Sequence, residues 1–198
     1  MNDALTQQLL DLVATDHELR AELASAGELH GGYHPRMAKV HAINAGALEQ
    51  IVDEFGWPGV SLVGHDGAEA AWILLQHAIA HPSLFRRCLP LVEDSIDRGE
   101  APAYQAAYLQ DRTACFEDRP QRYGTQFDWD DNGEMSPLPL LDEVRVDEYR
   151  ARVGLAPLQE RIRQIRSENE TVAAPDDINE WRRQKRAWAK SVGWLSDD

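Results

Sequence analysis

Apolar side chains return every three to four residues over most of this chain, and almost nowhere do they alternate. Leu5, Leu9, Leu12, Val13, Leu19 and Leu23 trace one stripe; Met37, Val40, Ile43, Leu48, Ile51, Val52 and Phe55 trace a second. A period near 3.6 gathers apolar groups on one face of an α-helix, so the pattern predicts helices packed on helices rather than a sheet. Breaks fall at Gly27, Gly56-Trp57-Pro58-Gly59, Pro82, Gly99 and Pro102. There glycine or proline ends one helix or opens the next. Helices are expected over 3–26, 36–55, 68–80 and 82–98, and from Pro102 through Cys115. Asp66 is the expected N-cap of the third, which is apolar nearly all round and hence buried.

From Glu117 to Pro139 the period fails in a segment rich in Gly, Pro, Asp and aromatic residues. A loop that long in a compact domain is usually functional. A short hairpin between Gln126 and Leu138 is the one β alternative. Short helices are predicted over 147–153 and 155–166. A polar stretch over 167–175 follows, then a last helix capped by Asp176 or Asp177 and carrying Ile178, Trp181, Trp188 and Val192. The expected fold is mainly α: a single compact multi-helix core domain over 1–166 with a long irregular loop, then a linker and C-terminal amphipathic tail helix over 167–198. A chain of 198 residues can bury one good core.

A net charge of −14 repels phosphates, which argues against nucleic acid and against an anionic membrane surface as partners. No apolar run reaches membrane-spanning length. The acidic start Met1-Asn2-Asp3 lacks an apolar stretch behind it, so no secretory leader is expected. Cys88 and Cys115 fall in separate helical patterns and read as two buried thiols rather than a disulfide. These features together read as a cytoplasmic bacterial protein.

Buried polar groups are costly unless satisfied, so polar residues inside core patterns mark either a structural network or a site. His77 closes the most apolar helix beside Gln76, and imidazole there can act as general base or acid. Asp111 is expected to orient it, and Arg112 to hold a carboxylate or phosphate bidentately. Gln121, Tyr123, Thr125 and Gln126 surround Gly124, where a positive-φ turn would let backbone approach a ligand. Tyr123 is the expected proton or hydrogen-bond donor; the amides and Thr125 would position substrate. Asn44 is expected to face the same space, and Trp57 to stack on a ligand or plug the core. The plain alternative for each is structural: a core imidazole, salt bridges, and a loop pinned by its own side chains.

His77 and His81 stand four apart, as zinc ligands on a helix do, with a third ligand available from His65, His41 or a carboxylate. Ala78, however, occupies the glutamate position of the H-E-x-x-H pattern, and His81 sits where the helix ends. The expectation is therefore no metal and no cofactor. His17, His30, His34 and His41 are expected at the surface. Arg182-Arg183-Gln184-Lys185-Arg186 reads as a solvated helix face, or as one that docks onto the acidic body. No Gly-rich phosphate loop, serine nucleophile elbow or paired-cysteine metal motif is present.

Several of these residues form a wider pattern: Gly56-Trp57-Pro58, Val63-Gly64, Gly67-Ala68, Ala70-Ala71-Trp72, Gln76-His77-Ala78, Cys88-Leu89 and Gly99-Glu100. It continues with Ala107-Tyr108-Leu109, Asp111-Arg112, Pro120-Gln121, Tyr123-Gly124-Thr125-Gln126, and Val153-Gly154-Leu155 with Pro157-Leu158. In these motifs the chain resembles a bacterial family known as domain of unknown function 6624, over roughly residues 5 to 165. It departs from that family's pattern at His41, where an aspartate would precede Asn44, and the tail from Ser167 lies outside the likeness. The resemblance implies which residues matter and no activity. The leading expectation is a cofactor-independent enzyme with hydrolase-type acid/base chemistry on a small polar or peptide-like molecule. The alternatives are a non-catalytic binding or regulatory (immunity-type) module, and a metal-dependent hydrolase.

Overall fold

A computed structural model describes residues 1–29 and 32–196; the expectation for His30 lies outside the described residues. The fold is mainly α, with eight helices and one two-stranded hairpin among the described residues. It forms two compact units, Met1–Ala101 and Pro102–Asp198.

The first unit holds α1 (Asp3–Ser25), α2 (Pro35–Phe55), α3 (Val60–His77) and α4 (Pro82–Asp97). Local chemistry sets their ends. The Asn2 side chain accepts the Leu5 amide and caps α1, while Pro35 and Pro82 occupy first turns, where a missing N–H costs nothing. α3 begins at Val60, ahead of the expected Asp66 cap, because a first turn precedes a break at Gly64 (φ 70°, ψ 175°). It ends at His77, and Ala78 leaves helical geometry (ψ 36°).

α1 lies close against α3. Asn2 N–H donates to the Leu62 carbonyl at 2.7 Å, and the Thr6 hydroxyl to that of Val63 at 2.9 Å. A Cβ at Gly67 would stand 2.8 Å from Val63 Cβ and 3.3 Å from the Thr6 methyl, so glycine relieves crowding within α3 and against α1. Leu9, Leu48, Val63, Leu75, Phe85 and Val92 are buried in this unit. Burying each contributes roughly 1.5–3 kcal/mol.

The second unit holds α5 (Ala103–Phe116), β1 (Phe127–Trp129), β2 (Met135–Pro137), α6 (Val146–Arg152), α7 (Leu158–Glu168) and α8 (Ile178–Ser191). The hairpin alternative is the one realised: β1 and β2 pair antiparallel with Asp128 opposite Ser136. Its turn is closed by Asp130, whose Oδ1 accepts the Asn132 and Glu134 amides at 2.9 and 3.0 Å.

The tail helix is part of this unit, Pro102–Asp198. Its basic and aromatic face finds acidic and aromatic partners. Trp181 Nε1 donates to Asp128 Oδ1 at 2.9 Å, Lys185 Nζ to Asp128 Oδ2 at 2.5 Å, and Arg182 to Asp131 at 2.6 Å. Arg186 pairs with Asp118, and Phe116 packs on Trp188 and Trp194 with ring centroids 5.6 and 5.0 Å apart. Cys88 and Cys115 are free thiols, the first buried and the second half-buried. No described helix is long and apolar enough to cross a membrane.

Candidate functional site

Three helices of the first unit each place one polar side chain at a shared point. The buried residues of α1 are Leu5, Leu9, Val13, Asp16 and Leu23. Asp16 thus occupies a core position, and it is fully buried. On α2 the buried stripe runs Met37, His41, Asn44, Leu48, which places His41 in the interior at 8% exposure rather than at the surface as expected. His77 arrives from the last turn of α3, its side chain 29% exposed.

Asp16 Oδ2 lies 2.9 Å from His77 Nδ1 and 3.1 Å from His41 Nε2. The two imidazole centroids are 5.2 Å apart. The Tyr33 hydroxyl sits 2.8 Å from His41 Nδ1, and the His17 ring meets His77 edge-on at 6.5 Å. Burial pushes the Asp16 carboxyl upward, but the His41 and His77 imidazoles at its oxygen outweigh that and hold it well below the usual carboxylate range. Burial, reinforced by the Asp16 charge, pushes the Tyr33 phenol up to about 12, so it remains a hydroxyl. Among the described residues, Asp16 Oδ1 and His41 Nε2 are buried without a hydrogen-bond partner: the His41 nitrogen is near the carboxylate but not aimed along the line to it.

The carboxylate on His77 is therefore Asp16, and the expected partner Asp111 is engaged elsewhere. Asn44 lies one turn beyond His41, buried, its Nδ2 3.4 Å from the Leu12 carbonyl. Gln76 is buried beside His77, and Trp57 is buried at 7% exposure. His81 does not join His77. The helix stops at Ala78, so four residues no longer return a side chain to the same face. His65 and His17 are exposed, and His34 is half-buried.

The other singled-out residues meet in the second unit. Asp111 is buried on α5, and its two oxygens accept the amides of Arg122 (2.8 Å), Tyr123 (3.1 Å) and Thr125 (3.0 Å) and the Thr125 hydroxyl (3.0 Å). Burial still raises its pKa above the ordinary value, against those four donors. Gln121 clamps the same loop: Nε2 donates to the Gln126 and Leu138 carbonyls and Oε1 accepts the Gln126 amide, all at 2.9 Å. Arg112 Nε donates to Gln126 Oε1 at 3.0 Å, and burial lowers its pKa to about 10.

Gly124 has the expected positive φ, 63°, and a Cβ there would lie 2.8 Å from Leu158 Cδ1. What approaches this backbone is Leu158 of the same unit. Arg150 donates to the Tyr123 carbonyl at 2.7 Å, and the Tyr123 ring meets Tyr149 at 6.5 Å. These side chains close a loop onto α5 and α6.

Sequence reasoning passed over Asp16 and Tyr33, and it placed His41, a possible third metal ligand, at the surface. The signal for two of them was present: a carboxylate and an imidazole at the i, i+3, i+4 positions of otherwise apolar stripes. Tyr33 had none, since it lies in the loop before α2.

Fold and site together define a helical protein with a carboxylate set between two imidazoles. The chain belongs to the DUF6624 family, a family of unknown function, whose model matches residues 3–170. No curated protein and no solved structure matches it.

Proposed function

We propose that this is a cytoplasmic bacterial enzyme that performs hydrolase-type acid/base chemistry on a small polar or peptide-like molecule, with its reacting centre at Asp16, His41 and His77. One observation carries the reading: a fully buried carboxylate holds Nδ1 of a partly exposed histidine at 2.9 Å. A carboxylate accepting Nδ1–H fixes the tautomer whose Nε2 lone pair can take a proton, and stabilises the imidazolium that results. The two imidazoles hold the Asp16 carboxyl well below the usual carboxylate range, so it serves as the orienting group and His77 as the proton acceptor.

The test is a substrate panel of amides, esters and phosphoesters assayed with wild type, His77→Ala and Asp16→Asn. Losing a positioned general base costs about 10²–10⁴-fold in rate. An activity equally strong in all three proteins would refute the reading. The satisfied network around Asp111 favours a second reading for the other unit, a rigid binding platform for a small polar molecule or peptide without catalysis of its own.

A further inference from the structure

We propose that Asp16, His41 and His77 bind one divalent transition-metal ion. The proposal rests on the reading of this cluster as the reacting centre, and it changes His77 from proton acceptor to ligand in the loaded protein.

Three observations support it. The ligand atoms, one carboxylate oxygen and two ring nitrogens, all lie within 4.8 Å of one another. Atoms bound to a common ion at about 2.0–2.2 Å stand about 3–4 Å apart, so small side-chain shifts complete the site. Next, two of the buried atoms without hydrogen-bond partners, Asp16 Oδ1 and His41 Nε2, belong to two of the three ligands. A buried acceptor left unmade is costly, and a cation would satisfy both at once. Last, His41 has its outer partner in place. Tyr33 at 2.8 Å can accept Nδ1–H, which leaves the lone pair on Nε2, the nitrogen that faces Asp16. Ligating histidines are held this way by a group on the second nitrogen.

The ligand chemistry selects the ion. Two imidazoles and one carboxylate suit zinc, cobalt, nickel or ferrous iron; calcium and magnesium prefer all-oxygen cages. Three protein ligands from three helices leave positions for water and substrate, the composition of a catalytic rather than a structural zinc site. The partly exposed His77 marks the side from which an ion would enter.

The experiment strips full-length protein with chelator, then titrates Co²⁺ and follows the visible d–d bands, with Zn²⁺ as competitor and calorimetry for stoichiometry. One equivalent is expected for wild type. His41→Ala and His77→Gln should bind at least about 10-fold more weakly, and Tyr33→Phe should lose about 10–100-fold in affinity through the second nitrogen of His41. Circular dichroism identifies variants that keep the fold. His77→Gln, at a partly exposed position, keeps the test valid where His41→Ala unfolds. No stoichiometric binding by wild type, or undiminished binding by a folded His77→Gln protein, overturns the site. Either result leaves the proton-transfer reading in place, since that reading is tested by the rates of wild type, His77→Ala and Asp16→Asn.

Discussion

Replacing Asp111 with alanine measures what a buried carboxylate does when it pins a loop by its amides. Its two oxygens take three backbone N–H groups and one hydroxyl, at 2.8–3.1 Å. The Thr125 hydroxyl can rotate away, and Arg122 is exposed, so water can reach its amide. Two deeper donors, the amides of Tyr123 and Thr125, would be left unmade at about 1–3 kcal/mol each. Against this stands the cost of burying the charge, visible as the raised carboxyl.

The net loss is about 3 kcal/mol, roughly 6–12 °C in melting temperature for a chain of this size. Thermal denaturation followed by circular dichroism reads it. Asp111→Asn keeps one acceptor oxygen but turns an NH₂ toward donors, so a loss of similar sign is expected. If both variants melt within about 1 °C of wild type, or higher, the network is not structural. Gains of that kind accompany the removal of polar groups kept for function.

Two other perturbations follow from the packing of the second unit and from the buried thiols. Asp128→Ala removes the acceptor of both the Trp181 indole and the Lys185 ammonium, at about 2 kcal/mol; the tail should then be cut faster by trypsin within α8, and an unchanged cleavage pattern would contradict this docking. Burial pushes the Cys88 and Cys115 thiols up to about 12 from an ordinary 9.0. Because the folded value lies above the unfolded one, the stability from keeping them neutral is complete below pH 9.0 and is lost as pH rises toward 12. Melting temperature should fall over that window, less steeply in Cys88→Ala, and equal slopes would refute the assignment.

Most helix boundaries were legible because glycine, proline and cap residues act locally. α1, α2 and α4 start and stop within a residue or two of expectation. α3 is the instructive miss: a glycine with positive φ interrupts a helix that resumes, and no local rule distinguishes that from a true start. The loop 121–126 was recognisable as polar and ordered, and its Gly124 turn was foreseeable. What its side chains would hold was not.

The chain's own residues, read in order, determine that it is helical, where most of its turns fall, and that an imidazole, His77, closes its most apolar helix. Periodicity carries that much, because burial on a helix repeats every 3.6 residues. Only the packing of α1, α2 and α3 decided that Asp16, His41 and His77, separated by 25 and 36 positions in sequence, share one point, and that His77 answers to Asp16. Which helix faces meet depends on contacts between residues far apart in the chain, such as Thr6 against Val63 and Gly67, and no periodic signal within one helix encodes its partner.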